Sequence, residues 1–127
     1  MLNGRFGGQW NSAGATVKMD VSVMVFTEDN VNIAYIPVLD LCGYGNTEAE
    51  AFASLNTTIG EYLQYAVRKN TLIKDLKAHG WTIKKKSKPF IAPAITDLIN
   101  KNEYLHDIVN TKPYRMDHMP INMPAFA

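Results

Sequence analysis

The chain contains a single cysteine, Cys42, so it can form no internal disulfide, and that usage fits a reducing compartment. It lacks a charge excess as well. Thirteen basic against twelve acidic residues leave a formal +1, too little for a global field that would attract nucleic acid or an anionic membrane. No apolar run approaches the roughly 20 residues of a membrane span, and Met1 to Lys18 holds none of signal-peptide length. Repeats and low-complexity tracts are missing too. These absences predict a soluble, cytoplasmic protein with no membrane partner. What remains is ordinary: 46% hydrophobic and 20% charged residues over 127 positions, enough for the core of one domain.

The first residues precede any periodic pattern. Gly4, Gly7, Gly8 and Gly14 stand among Asn3, Gln9, Asn11 and Ser12, which predicts a flexible extension over residues 1–18. Met19 lies where the folded pattern begins and is a candidate alternative start.

From Val17 to Phe26 the chain alternates, with Val21, Val23 and Val25 on one side and Ser22, Met24 and Phe26 on the other. Apolar groups on both sides predict a central strand, or one whose second face a helix or a partner subunit covers. Glu28-Asp29-Asn30 supplies a turn, and the alternation resumes from Val31 to Ile36, giving an antiparallel hairpin. Pro37 ends it, because it has no N–H to donate. Gly43-Tyr44-Gly45 reads as a short third strand or tight bend, its glycines allowing backbone angles that other residues resist.

Thr47 and Glu50 form a capping box ahead of a long amphipathic helix through Phe52, Leu55, Ile59, Leu63 and Val67 to about Arg68. Gly60 within it costs about 1 kcal/mol relative to alanine, which points either to a close helix approach or to a tolerated weakness. Thr71 opens a shorter helix that Gly80 ends, Trp81 to Ile83 alternates as a strand, and Ala94–Ile99 and Glu103–Val109 read as two short helices. From Lys112 the chain is extended, and alternating Ile121 and Met123 predict that it packs on another surface.

The expected architecture is α+β: an antiparallel three- to four-stranded sheet covered by a long helix, in β-β-β-α-α-β order. An extension over 1–18, an α+β domain over 19–88 and a helical and extended region over 89–127, packed on that domain or on a partner subunit, complete it.

Candidate chemistry is sparse. Asp20, Asp29, Asp40 and Glu48 are scattered, and no acid lies within the strand from Val21 to Phe26, where two-metal nuclease chemistry needs convergent carboxylates. Cys42 has no nearby cysteine or histidine in sequence, and His79, His106 and His118 lack metal-ligand spacing. No catalytic residue, metal site or cofactor is therefore assigned. The lysines Lys84, Lys85, Lys86 and Lys88 are a candidate phosphate contact or a solvated strand edge. Tyr35, Asp40, Tyr44 and Trp81 are aromatic or acidic groups near strand ends, where interface anchors are enriched.

The run from Ile33 to Ala51 carries one more signal. An alternating strand enters Pro37-x-Leu39, followed by Cys42, a glycine turn and Thr47-Glu48-x-Glu50-Ala51. This resembles the HicB-type antitoxins, over about Val21 to Val67. Asp40-Leu41 stands where that family usually has Pro-Gly, and the turn from Cys42 to Thr47 is one residue shorter. The resemblance implies a partial ribonuclease-H-like fold and a non-catalytic homo-oligomer, a homodimer or larger. It also implies that the chain binds a small HicA-like mRNA-cleaving toxin and covers its active site, with Tyr35, Asp40, Tyr44 and Trp81 as the contact candidates. DNA binding would fall to a C-terminal module, and 89–127 matches no helix-turn-helix or ribbon-helix-helix. Leu72 to Lys84 is itself similar to the opening helix and strand of a HicA-type toxin, but Lys86-Ser87-Lys88-Pro89 replaces the segment that bears that family's catalytic histidine. Two alternatives stay open: a nucleic-acid-binding regulator using Lys84 to Lys88, and an oligomeric interaction module whose C-terminal segment docks on a neighbouring subunit.

Overall fold

The structure is a computed structural model and describes residues 16–84 and 90–124. Its first strand, β1, runs Thr16–Glu28, so residues 16–18, assigned by sequence to the flexible extension, belong to the strand. Residues 1–15 lie outside the described residues. The hairpin to β2, Val31–Ile36, closes through Asp29 and Asn30. Both have positive φ, 52° and 66°, the requirement of a turn whose twist matches the flanking strands. A second turn, Pro37 to Asp40, leads into β3, Leu41–Gly45, with Asp40 at φ 56°. The strand reading of Gly43-Tyr44-Gly45 holds, but its reason changes. Neither glycine has positive φ. A Cβ on Gly43 would stand 2.3 Å from the Ala51 carbonyl oxygen and 2.3 Å from the Leu55 nitrogen, so the glycines serve close helix approach.

That helix is α1, Glu48–Arg68. Thr47 Oγ1 accepts from the Glu50 N–H at 3.1 Å, while Glu50 Oε1 accepts from the Asn46 N–H at 2.8 Å, one residue earlier than an ordinary capping box. At its end Asn70 takes φ 57° while the Asn70 and Thr71 N–H groups donate to Val67 and Ala66 carbonyls, a Schellman cap. The next helix, α2, Leu72–Ala78, ends the same way: Gly80 at φ 93° donates to Lys77, and Trp81 donates to Leu76.

Trp81 therefore turns inward. The strand after it, β4, Thr82–Ile83, pairs with β5, Phe90–Ile91, in a separate two-stranded ribbon and not with the main sheet. The chain then forms α3, Ile95–Lys101, and α4, Glu103–Thr111. It finishes in β6, Arg115–Pro124. This last strand is the fourth of the main sheet, antiparallel to β1 from Thr16 opposite Pro124 to Val25 opposite Arg115, in the order β3-β2-β1-β6. The C-terminal segment expected to lie on a surface is thus a structural strand of its own chain. An edge position suits Pro120 and Pro124, which each lack an N–H for a further neighbour.

The sheet is covered on both faces. Val21, Val23 and Val25 join Met119, Ile121 and Met123 beneath Leu55, Ile59 and Leu63 of α1 and Leu76 of α2. On the other face Met24, Phe26, Ile33 and Tyr35 pack against Leu105 and Ile108 of α4. The cover that the two-sided alternation of β1 demanded comes from the chain itself. Among the described residues no helix is long and apolar enough to cross a membrane.

Candidate functional site

The most connected polar cluster lies where β2, β3 and α4 meet. Tyr35, one residue from the end of β2, points to the α4 face, and its ring is 1% exposed. Its hydroxyl donates to Asp40 Oδ1 at 2.6 Å and accepts from Asn102 Nδ2 at 2.9 Å. Asn102 uses its other atom as the N-cap of α4, Oδ1 accepting from the Leu105 N–H at 3.1 Å. One side chain thereby starts the helix and fixes it to the sheet. Burial first, and then the hydrogen bond to the Asp40 carboxylate, raise Tyr35 far above the ordinary phenol range.

Two exposed tyrosines extend this cluster outward. The Tyr104 ring on α4 meets Tyr35 edge-on, centroids 5.1 Å apart at 83°. Tyr44 on β3 is 56% exposed, against 36% for Tyr104. The half-buried Cys42 thiol is a neighbour of both tyrosines. Desolvation raises its pKa, the Asp40 and Glu28 carboxylates push the same way, and the tyrosine hydroxyls pull it down. Tyr104 is raised by burial first and Tyr44 by the neighbouring thiolate first. Cys42 is thus held as a neutral thiol, the opposite of an activated nucleophile.

Beside Tyr104 an open groove of about 890 Å³ passes Asp40, Asp97 and Glu103, with His79, Lys77 and Lys101 also on its walls. Toward the end of α4, Lys112 Nζ reaches Glu28 at 3.1 Å and Asp107 at 4.0 Å.

Of the sequence candidates, Asp40 and Tyr44 are exposed and share this face. Tyr35 supports it from beneath. Trp81 is elsewhere: it is 4% exposed, and its Nε1 donates to the Val38 carbonyl at 2.8 Å, bracing the Pro37–Asp40 turn against α2. Neither Tyr35 nor Trp81 has a surface to offer as an anchor, because the strand-end position that singled them out is also where this sheet buries its largest rings. Lys84 is exposed. Lys85, Lys86 and Lys88 lie outside the described residues.

Sequence reasoning missed Asn102, Tyr104 and Cys42 as members of the face. Asn102 had a readable signal, an N-cap residue three positions before Leu105. Reading charge as a total also missed how it is partitioned. Residues 19–67 contain Asp20, Glu28, Asp29, Asp40, Glu48, Glu50 and Glu61 and no base, whereas residues 68–88 contain Arg68, Lys69, Lys74, Lys77, Lys84, Lys85, Lys86 and Lys88 and one acid, Asp75.

The histidines are engaged apart from this cluster or exposed. His79 Nδ1 lies 2.8 Å from the Asp75 carbonyl, His106 contacts Asn110, and His118 is on β6. Among the described residues no group of three or more His, Cys, Asp or Glu side chains could hold a metal ion. The arrangement offers stacking area, hydroxyl donors and carboxylates on a rigid sheet-and-helix base, chemistry suited to gripping a partner. Comparison with protein-family models, with characterised proteins and with solved structures found no match for this chain.

Proposed function

We propose that the chain is a non-catalytic antitoxin of the HicB-like kind, a homo-oligomer that binds a small HicA-like mRNA-cleaving toxin and blocks its active site. The observation that carries this reading is the run from Ile33 to Ala51. Its residues resemble that family's pattern, and they fold as one continuous unit: β2, the Pro37–Asp40 turn, β3 and the capped start of α1. Rigid exposed tyrosines beside that unit support a binding role, because such side chains contribute contact area at low entropic cost. The test is co-expression with the product of the adjacent gene. A small basic neighbour that co-elutes with this chain at fixed stoichiometry supports the reading, and a neighbour that elutes separately removes it.

A second reading, a nucleic-acid-binding regulator, is favoured by the eight bases gathered in residues 68–88, of which Arg68, Lys69, Lys74, Lys77 and Lys84 are exposed. Phosphate contact requires affinity for an RNA or DNA oligonucleotide to fall steeply with added salt, and a flat salt response sinks it.

A further inference from the structure

Arg68, Lys69, Lys74, Lys77 and Lys84 are all exposed, and none of them forms an ion pair with a described residue. The acid inside that span, Asp75, is engaged elsewhere: it accepts a hydrogen bond from the Tyr62 hydroxyl and stands 3.9 Å from His79 Nδ1. Lys77 borders a mixed groove, where it shares the walls with Lys101 and with Asp40, Asp97 and Glu103. Glu61 is one turn before Tyr65 on α1. Arg68, Lys69 and Lys74 thus stand together, joined through Asn70 and Thr71, with no carboxylate holding them.

Helix electrostatics accounts for some of these charges. A cation in a last turn offsets the helix dipole, as Arg68 does on α1 and Lys77 on α2. Lys74 lies in the first turn of α2, where the dipole disfavours a cation, so α2 gains nothing from it. Tyr65 is equally unexplained by folding. It is 54% exposed, and the Arg68 guanidinium carbon and Lys69 Nζ each lie 5.9 Å from its ring centroid. An open ring flanked by unpaired cations is the pairing that single-stranded nucleic acid uses: a base stacks on the ring while the cations meet its phosphates. A duplex keeps its base faces stacked on one another, and a lipid headgroup offers phosphate without a planar base.

We propose that the end of α1 and the start of α2 bind single-stranded nucleic acid, with Tyr65 stacking on an unpaired base and Arg68, Lys69 and Lys74 contacting phosphates. The proposal rests on the nucleic-acid reading and deepens it by naming the surface, the stacking residue and the strandedness of the ligand.

The experiment uses the full chain and labelled oligouridine, oligothymidine and a duplex, each about 12 nucleotides long, read by fluorescence anisotropy. Both single strands are expected to bind more tightly than the duplex; the tighter of the two assigns the site to RNA or to DNA. Tyr65→Ala is expected to weaken single-strand binding about 5- to 100-fold, the loss of one stacked base, while Tyr65→Phe keeps it. Lys74→Gln is expected to reduce the slope of log affinity against log salt by about 0.7. Tyr114→Ala, at another exposed tyrosine (42%), is expected to change nothing. Equal urea midpoints for the variants exclude unfolding as the cause. Absence of binding to any oligonucleotide overturns the proposal and the nucleic-acid reading together. Binding that survives Tyr65→Ala unchanged, or that favours the duplex, overturns the proposal and leaves that reading standing. Phosphatidylglycerol vesicles that bind as tightly as the single strands also overturn it, since phosphate alone would then suffice.

Discussion

Gly43 and Gly60 show how one residue type can carry opposite consequences. A methyl group on Gly43 meets the backbone of α1 at 2.3 Å, and backbone cannot yield as a flexible side chain can. Gly43→Ala should therefore lose about 2–3 kcal/mol or more of stability, in the range of overpacked cores. Gly60 has nothing within 4 Å of its notional Cβ, so Gly60→Ala should gain up to about 1 kcal/mol through helix propensity. Urea midpoints of the two variants, shifted in opposite directions, check both. Tyr35 offers a third measurement. Tyr35→Phe keeps the ring in the core and removes a hydroxyl that satisfies Asp40 and Asn102, which should cost about 1–2 kcal/mol. Burial raises Tyr35, Tyr62 and Tyr104 above the ordinary phenol value of about 10. As pH climbs through that value the unfolded chain releases these protons first, so stability is retained below it and falls above it. A melting temperature that declines from pH 9 to 11, and declines less steeply in Tyr35→Phe, is the expected result.

Elements differ in how far their sequence announced them. The capped α1, the Gly80-terminated α2 and the β1–β2 hairpin each rest on contacts within a few residues, and those are legible in a single chain. The strand at Trp81 to Ile83 was legible too, as β4, but its two-residue partner β5 and the long β6 were not. Met119 to Met123 alternates as a strand should, but its partner β1 lies about a hundred residues earlier, and alternation names a face without naming a neighbour. The face was half legible. Asp40 and Tyr44 could be picked out near strand ends, while Tyr35 and Trp81 satisfied the same rule and proved to be core. The exposed pairing of Tyr44 with Tyr104 depends on α4 docking, which no local pattern encodes. Because Met119, Ile121 and Met123 are core residues, removing 112–127 should abolish cooperative unfolding by circular dichroism; a truncated chain with an unchanged transition would refute the role of β6. Leu105→Ala, at a position with no exposure, should cost about 2–5 kcal/mol. It should weaken partner binding as well, since it frees α4 and with it Tyr104.

At the scale of the whole molecule, near-neutrality hides an acidic first half joined to a basic stretch. The acidic stretch supplies β1 to β3 and α1, and the bases gather at the end of α1, in α2 and around β4. Such a dipole orients encounters, and its effect fades with ionic strength. The measurement that tests this account most directly is an RNA-cleavage assay with the purified adjacent-gene product. The account predicts that this chain abolishes cleavage at stoichiometric amounts and that Tyr44→Ala restores it. Cleavage that continues undiminished in excess of the unaltered chain would contradict it.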